Sequence, residues 1–182
     1  EETDKAMEIF QQGLKQVNEK SDKGIVSDFY AILGDLYHSK EMKAEAYAAY
    51  DSSLVYNPNN IGTLNNYAYY LSVERTNLDK AEEMSYKTVK AEPENATYLD
   101  TYAWILFEKK RYTEARIYIK QAMKNGGDSS QVIVEHCGDI YYMVNEVEQA
   151  VKYWQQALDM GKRRIAWRIR KKTELLRVQK LN

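Results

Sequence analysis

The sequence predicts an all-α fold in which antiparallel helix hairpins stack into a solenoid that ends in a C-terminal capping helix. Its 182 residues include only two prolines and eight glycines, and helix-forming residue types are abundant, so intrinsic preference favours helix along almost the whole chain. A motif also recurs, because LGDLY at 33–37 returns as CGDIY at 137–141, 104 residues or three periods of nearly 35 later. Alanines repeat with the same spacing, at Ala46, Ala81, Ala115 and Ala150.

Two further copies fill the interval between these motifs. The residues NYAYYL at 66–71 return as TYAWIL at 101–106, again 35 residues later. The two prolines, Pro58 and Pro93, are also 35 residues apart, and each follows its alanine by twelve residues. A helix should end there, because proline lacks the backbone donor and restricts the residue before it. The sequence therefore predicts four hairpins in phase.

The recurring residues resemble the tetratricopeptide repeat (TPR), whose pattern is W-x2-L-G-x2-Y, then A-x3-F, then a proline. The first copy follows this pattern most closely, with aromatic residues in place of the usual Trp and Phe. Its matching residues are Tyr30, Leu33, Gly34, Tyr37, Ala46, Tyr50 and Pro58. The resemblance covers about residues 27–164 and implies a right-handed α-solenoid. Small residues in the pattern let the two helices of a hairpin approach closely, and large residues one turn away fill the remaining space.

In chain order, the pattern predicts a single TPR array over residues 1–182. Residues 3–18 contain Ala6-x3-Phe10 and are expected to form the second helix of a partial preceding repeat, so further repeats are expected upstream. The four full repeats are predicted at 27–60, 61–95, 96–130 and 131–164. A last helix at 165–181 is expected to lie on the fourth hairpin and to cap the array with its polar face.

The resemblance implies that the first helix of every hairpin lines a concave groove, which binds a peptide or a segment of another protein. The expected groove residues are Asp35, His38, Asn65, Asn66, Tyr69, Asp100, Thr101, Trp104, Glu135, Asp139 and Tyr142. Amides can pair with the backbone of a bound segment, and aromatic rings offer flat apolar area. The competing interpretation is that these rings pack between neighbouring first helices. Chaperone-binding TPR domains grip a terminal carboxylate with Lys, Asn and Arg at these positions, and the acids found here argue against that ligand.

The sequence gives no support for catalysis. His136 and Cys137 are adjacent, and neighbours on a helix point about 100° apart, so they form neither a metal site nor a nucleophile with its base. Cys137 occupies a position that the repeat reserves for Leu, which favours a packed core residue. Glu135 and Asp139 lie one turn apart, but an open groove would not shift their pKa values as acid–base catalysis requires. We therefore expect no enzyme activity, no cofactor, no metal and no small-molecule substrate.

Charge divides the chain unevenly. Residues 162–182 hold nine Lys or Arg and one acid, Glu174, whereas the preceding residues hold 17 basic and 26 acidic side chains. A capping role is preferred for this basic segment, and nucleic acid is disfavoured as a partner. Two alternatives stay open: the segment binds an anionic partner, or it meets the acidic groove of a second copy in self-assembly.

The chain is similar to the TPR region of bacterial cell-envelope lipoproteins, especially at 65–71 and 98–104. This resemblance implies a periplasmic location, with lipid attachment carried by an upstream part of the intact protein. The sequence contains no apolar run of roughly 18 residues, so no membrane contact is expected from this fragment. The single cysteine gives no indication of the compartment.

Overall fold

The computed structural model describes residues 2–161, and these residues form α-helices, one short 3-10 helix and connecting turns, with no strand. The predicted capping helix at 165–181 and the basic segment at 162–182 lie outside the described residues. The helices are α1 Glu2–Lys15, α2 Lys23–Ser39, α3 Lys43–Tyr56, α4 Ile61–Val73, α5 Leu78–Ala91, α6 Ala96–Glu108, α7 Tyr112–Lys124, α8 Gln131–Met143 and α9 Val147–Asp159, with the 3-10 helix at Gly127–Ser129.

The helices pair in sequence as hairpins, α2 with α3, α4 with α5, α6 with α7 and α8 with α9. Each second helix also packs on the first helix of the next hairpin, and α1 packs on α2 in the same way. The first helices α2, α4, α6 and α8 contact one another in that order. The predicted all-α solenoid is therefore confirmed, whereas the repeat boundaries stay a prediction, and residues 162–164 of the fourth repeat lie outside the described part.

The turn inside each hairpin has the same backbone geometry. A residue with positive φ follows each first helix, with φ values of 61° at Glu41, 55° at Arg75, 62° at Lys110 and 65° at Asn145. The next N–H donates to the carbonyl five residues earlier, as from Met42 to Tyr37 at 3.0 Å and from Arg111 to Leu106 at 2.8 Å. This is a Schellman-type end, which satisfies the last carbonyls of the helix and reverses the chain. Repeating one turn gives the hairpins a common shape.

The turns between hairpins use helix caps. Asn60 and Asn95 each follow a turn proline by two residues, and their side chains accept hydrogen bonds from the first-turn N–H groups of α4 and α6. Before α8 there is no such proline, and the connection is the 3-10 helix at Gly127–Ser129. Gly127 is required there because a Cβ would lie 2.6 Å from the carbonyl oxygen of Ala122.

The recurring small residues lie where the helices of each hairpin touch. The four alanines of the 35-residue register are completely buried. A Cβ on Gly34 would lie 2.4 Å from the ring of Tyr50, and one on Gly138 would lie 2.3 Å from the ring of Trp154. The corresponding residues of the two inner hairpins, Ala68 and Ala103, are also fully buried. Each first helix is therefore held against the second helix at a distance that only a small side chain permits.

We predict that Gly138→Ala lowers the free energy of unfolding by about 1–3 kcal/mol, because the added methyl group overlaps the Trp154 ring. The matched control is Gly62→Ala, in an exposed part of α4, where the new Cβ would meet only Asn60 Oδ1 at 3.6 Å. That change should be neutral or stabilising by up to about 1 kcal/mol, because alanine is the better helix former. Urea unfolding followed by circular dichroism measures both, and equal effects would contradict the close packing.

Candidate functional site

The candidate site is the surface formed by α2, α4, α6 and α8, which we call the first-helix surface. The repeat register places four groups of residues in equivalent positions along it. These groups are Ala31, Asn65, Asp100 and Glu135; Ile32, Asn66, Thr101 and His136; Asp35, Tyr69, Trp104 and Asp139; and His38, Ser72, Phe107 and Tyr142. All eleven residues expected in the groove belong to these four groups.

Burial divides the expected residues into two sets. Six are half-buried and retain exposed surface: Asp35, His38, Asn66, Tyr69, Trp104 and Tyr142. Five are buried: Asn65, Asp100, Thr101, Glu135 and Asp139. A molecule that approached this surface from solvent would therefore reach the half-buried set first.

Polar side chains connect α2 to α4. The Asp35 carboxylate accepts hydrogen bonds from the Tyr50 hydroxyl at 2.5 Å and from Asn66 Nδ2 at 3.1 and 3.2 Å. Just before α4, Asn60 Nδ2 donates to Asp28 at 2.9 Å. Burial, followed by the contact with Asp35, raises the pKa of Tyr50. Tyr50 is therefore a neutral donor, and Asp35 receives hydrogen bonds from neutral groups.

Asn65 has one satisfied and one unsatisfied end. Its Nδ2 donates to Asn66 Oδ1 at 3.2 Å, which joins it to the Asp35 network. Its Oδ1 is buried and has no hydrogen-bond partner among residues 2–161. The side chain as a whole is only 6% exposed. Burying an acceptor without a hydrogen-bond donor is unfavourable, so Asn65 Oδ1 is an unsatisfied acceptor at this position.

A buried acid–base pair connects α6 to α8. The Nδ1 atom of His136 lies 3.0 and 3.1 Å from the two carboxylate oxygens of Asp100. The His136 ring stacks on Trp104 with centroids 4.0 Å apart, and Trp104 also stacks on Phe107 at 4.6 Å. Burial alone would lower the pKa of His136, but Asp100 and, more weakly, Asp139 and Glu135 raise it above its ordinary value.

A similar stack lies between α2 and α4, where the His38 ring covers Tyr70 at 3.4 Å between centroids. Burial, the largest effect, lowers the pKa of His38, although Glu74 and Asp35 oppose this change. The two histidines of the chain therefore have opposite pKa shifts. Only His136 has a carboxylate within hydrogen-bonding distance among the described residues.

In the first and fourth hairpins, the residue after the glycine is an acid that receives a hydrogen bond from the second helix. The Tyr50 hydroxyl donates to Asp35, and Trp154 Nε1 donates to Asp139 at 2.9 Å. The inner hairpins have alanine in place of glycine, and they place Tyr69 and Trp104 at the acid's position. This link between ring and acid was not predicted, although the repeated Gly-Asp pair, combined with A-x3-aromatic, was a visible signal for it.

Among residues 2–161, potential metal ligands do not form a cluster of three or more, and the cysteine is buried. Cys137 is fully buried, and burial raises the pKa of its thiol to about 12, so the reactive thiolate is scarce at neutral pH. No helix in this part of the chain is both long and apolar enough to span a membrane. What the surface does offer is carboxylate and amide acceptors beside half-buried rings.

Comparison with known proteins identifies a relative by sequence. No protein-family model matches the chain. A TPR repeat-containing protein of Pseudomonas aeruginosa is 25% identical over an alignment of 146 residues and covers 76% of this chain. The chain spans only 22% of the length of that relative, so the activity of the whole relative does not transfer.

Solved structures of TPR proteins have the same architecture. A thermophilic TPR protein of Thermus thermophilus matches 96% of this chain and 91% of its own, with a TM-score of 0.71 and 15% identity. YrrB, described as a TPR protein with an unusual peptide-binding site, matches 85% of this chain and 76% of its own, with a TM-score of 0.65 and 15% identity. A double mutant of MamA covers 87% of this chain and 84% of its own, at a TM-score of 0.70 and 11% identity.

The chain therefore has the TPR fold, and the resemblance predicted from its repeats is confirmed. The narrower likeness to cell-envelope lipoproteins stays a prediction. At these identities the solved structures establish the architecture alone.

We predict that the buried His136–Asp100 pair makes stability depend on pH. Because the folded-state pKa of His136 is raised, the charged pair stabilises fully below the unfolded value of about 6.5 and loses its effect as pH rises through the folded value. The unchanged protein should therefore have a higher free energy of unfolding than the Asp100→Asn variant, and the difference between the two should be larger at about pH 5.5 than at about pH 9. Urea titrations of both proteins at both pH values measure this difference. His38 is present in both proteins, so its own titration cancels. A difference that is constant, or larger at high pH, would contradict the pair.

Proposed function

We propose that this TPR solenoid is a non-catalytic scaffold or adaptor whose first-helix surface binds a segment of another protein. The observation that carries the proposal is the row of half-buried aromatic and amide side chains that crosses consecutive first helices. Stacked helical repeats present extended concave surfaces of this kind, and each repeat adds contacts to the same ligand. A segment that crosses several repeats is therefore a suitable partner.

The aromatic residues supply the apolar part of the contact. Tyr69, Trp104 and Tyr142 are half-buried, so each is held by its neighbours while part of its surface remains in solvent. Trp104 is fixed between Phe107 and His136, and Tyr142 lies 5.7 Å from Trp154 between ring centroids. Rings that are ordered before binding lose little conformational entropy when a partner covers them, and such residues often dominate binding energy.

The polar residues would orient the bound segment through hydrogen bonds. Asn66 and Asp35 are half-buried and already joined by hydrogen bonds, so their remaining acceptor capacity is held in place. Carboxylate and amide oxygens arranged in this way can accept from backbone N–H groups or from donor side chains of a bound segment. The buried residues beneath them, such as Asp100 and Thr101, would act by fixing the spacing of the helices.

The relatives support a binding role without specifying it. YrrB is described as having a peptide-binding site, and it shares the fold of this chain. The thiolate of Cys137 is scarce and Asp139 accepts a hydrogen bond from Trp154, so neither residue is a good candidate for catalysis. Anion binding and self-assembly through residues 162–182 rest on the sequence alone, as does a bacterial cell-envelope location.

A random peptide library selected on the purified chain tests this function. We expect selected peptides to perturb backbone amide resonances of α2, α4, α6 and α8 in the isotope-labelled protein, because these helices form the proposed surface. Perturbations confined to the second helices α3, α5, α7 and α9, or a selection without binders, would overturn the proposal.

For a selected peptide, Trp104→Ala should weaken binding by roughly tenfold or more, because it removes a preordered ring. The control is Tyr86→Ala, which removes a ring that is 48% exposed on the second helix α5 and should leave affinity unchanged. Thermal melts identify loss of folding, and Tyr69→Ala gives a second test on a different helix. Equal affinity of all variants would show that the rings are only packing groups.

A further inference from the structure

The charges of the described helices are distributed unequally between the two sides of the hairpins. The first helices α2, α4, α6 and α8 contain six acidic side chains and only one Lys or Arg, which is Lys23 at the first residue of α2. The paired second helices α3, α5, α7 and α9 contain eight acidic and eight basic side chains. The excess of acidic side chains therefore lies on the first helices, where Asp100, Glu135 and Asp139 are buried and Asp28, Asp35 and Glu108 keep exposed surface.

Some of these acids already have basic side chains as partners. Asp100 is paired with His136 at 3.0 Å, and Glu108 is paired with Arg75 at 2.7 Å. Asp28 and Asp35 on α2 are different, because neither has an ion pair among residues 2–161. Asp28 accepts from the Asn60 amide, and Asp35 accepts from the Asn66 amide and the Tyr50 hydroxyl. These neutral donors orient the carboxylates but do not neutralise them, and no cationic side chain among residues 2–161 pairs with either one.

Asp28 and Asp35 lie on one face of α2. They are seven residues apart, which is nearly two helical turns and a rise of roughly 10 Å. Asp28 is exposed and Asp35 is half-buried, so a ligand can approach both from solvent. A complementary ligand would carry at least two positive charges at a similar spacing.

Asn65, on the neighbouring helix α4, adds an unsatisfied acceptor to the hydrogen-bond network that holds Asp35. Its Oδ1 is a buried acceptor without a donor among the described residues, and its Nδ2 is joined through Asn66 to Asp35. Asp28 and Asp35 therefore present accessible acceptors on α2, whereas the Asn65 acceptor on the neighbouring α4 is buried. Lys and Arg side chains are donors that cannot accept, so they match these groups in both charge and hydrogen bonding.

Resting on the function proposed above, we infer that the first-helix surface selects a cationic protein segment, with Lys or Arg side chains directed at Asp28 and Asp35. Tyr69, half-buried on α4, adds an aromatic ring on which a cationic side chain or its aliphatic stem can pack. The surface would discriminate against acidic segments, because these would place carboxylates beside uncompensated carboxylates. The partner is thus defined by basic residues in a segment that spans neighbouring repeats.

Three fluorescent peptides of equal length test this inference. In the first, Lys alternates with Ala, and the other two have Gln or Glu in place of Lys. Fluorescence anisotropy with the full chain should show the Lys peptide binding at least about tenfold more tightly than the Gln peptide, and the Glu peptide not binding. Raising the salt concentration from about 50 mM to about 300 mM should remove most of this preference. Equal affinity of the Lys and Gln peptides, or binding of none of the three, would overturn the cationic preference.

Charge variants locate the effect on α2. Asp28→Asn should weaken binding of the Lys peptide by about two- to fivefold, and combination with Asp35→Asn should weaken it by roughly tenfold. Asn preserves an acceptor oxygen for Asn60, so the first variant alters charge with little change of shape. The control is Glu45→Gln, which removes one exposed charge from the second helix α3 and should change affinity by no more than about 1.5-fold. An equal loss in the control would overturn the inferred location.

Two further outcomes separate this inference from its alternatives. If library peptides bind the first-helix surface but show no enrichment in Lys or Arg, the scaffold function stands and the cationic preference is wrong. Light scattering at the same two salt concentrations tests whether the occupant is a second copy, which could supply the basic residues 162–182. If the chain forms dimers at low salt and the Lys peptide dissociates them, the inference of a partner other than this chain is wrong and self-assembly is supported.

Discussion

Within each hairpin, the two helices pack very closely. At the middle of the first helix, the position that faces the second helix has room only for a glycine or an alanine. Gly34 lies against Tyr50 and Gly138 against Trp154, while Ala68 and Ala103 are fully buried at the corresponding inner positions. This contact holds the helices close enough for alanines on the second helix to be buried as well. The remaining apolar surface of each hairpin is then covered by the next one, so the stack depends on the contact being repeated.

The same contact prepares the first-helix surface. In the outer hairpins, the ring that glycine admits also donates a hydrogen bond to the following aspartate, as Tyr50 does to Asp35 and Trp154 to Asp139. In the inner hairpins, alanine leaves less space, and rings stand on the first helix itself as Tyr69 and Trp104. The surface thus presents an oriented carboxylate where the hairpin has glycine and an aromatic ring where it has alanine.

Polar residues on this surface have two roles that burial separates. Asp100 and His136 join neighbouring first helices in a buried pair, so they contribute mainly to the spacing of the repeats. Asp28 and Asp35 accept hydrogen bonds from neutral donors, keep exposed surface and have no ion pair among residues 2–161. The groove residues expected from the repeat register include both buried and accessible side chains. The reason is that equivalent positions in different repeats differ in exposure.

The sequence by itself determined the repeat, because the spacing of Gly, Ala and Pro is a direct record of where helices touch and where they end. It also placed all the expected groove residues on first helices. It could not predict the hairpin turns, since Glu41, Arg75 and Lys110 adopt positive φ without the glycine that usually marks it. Only the tertiary structure decided that Asp100 is paired with His136, that Asp35 is held by Tyr50 and that Asn65 has an unsatisfied acceptor. Each of these facts depends on distances between side chains more than ten residues apart, or on burial, and a pattern along one chain contains neither.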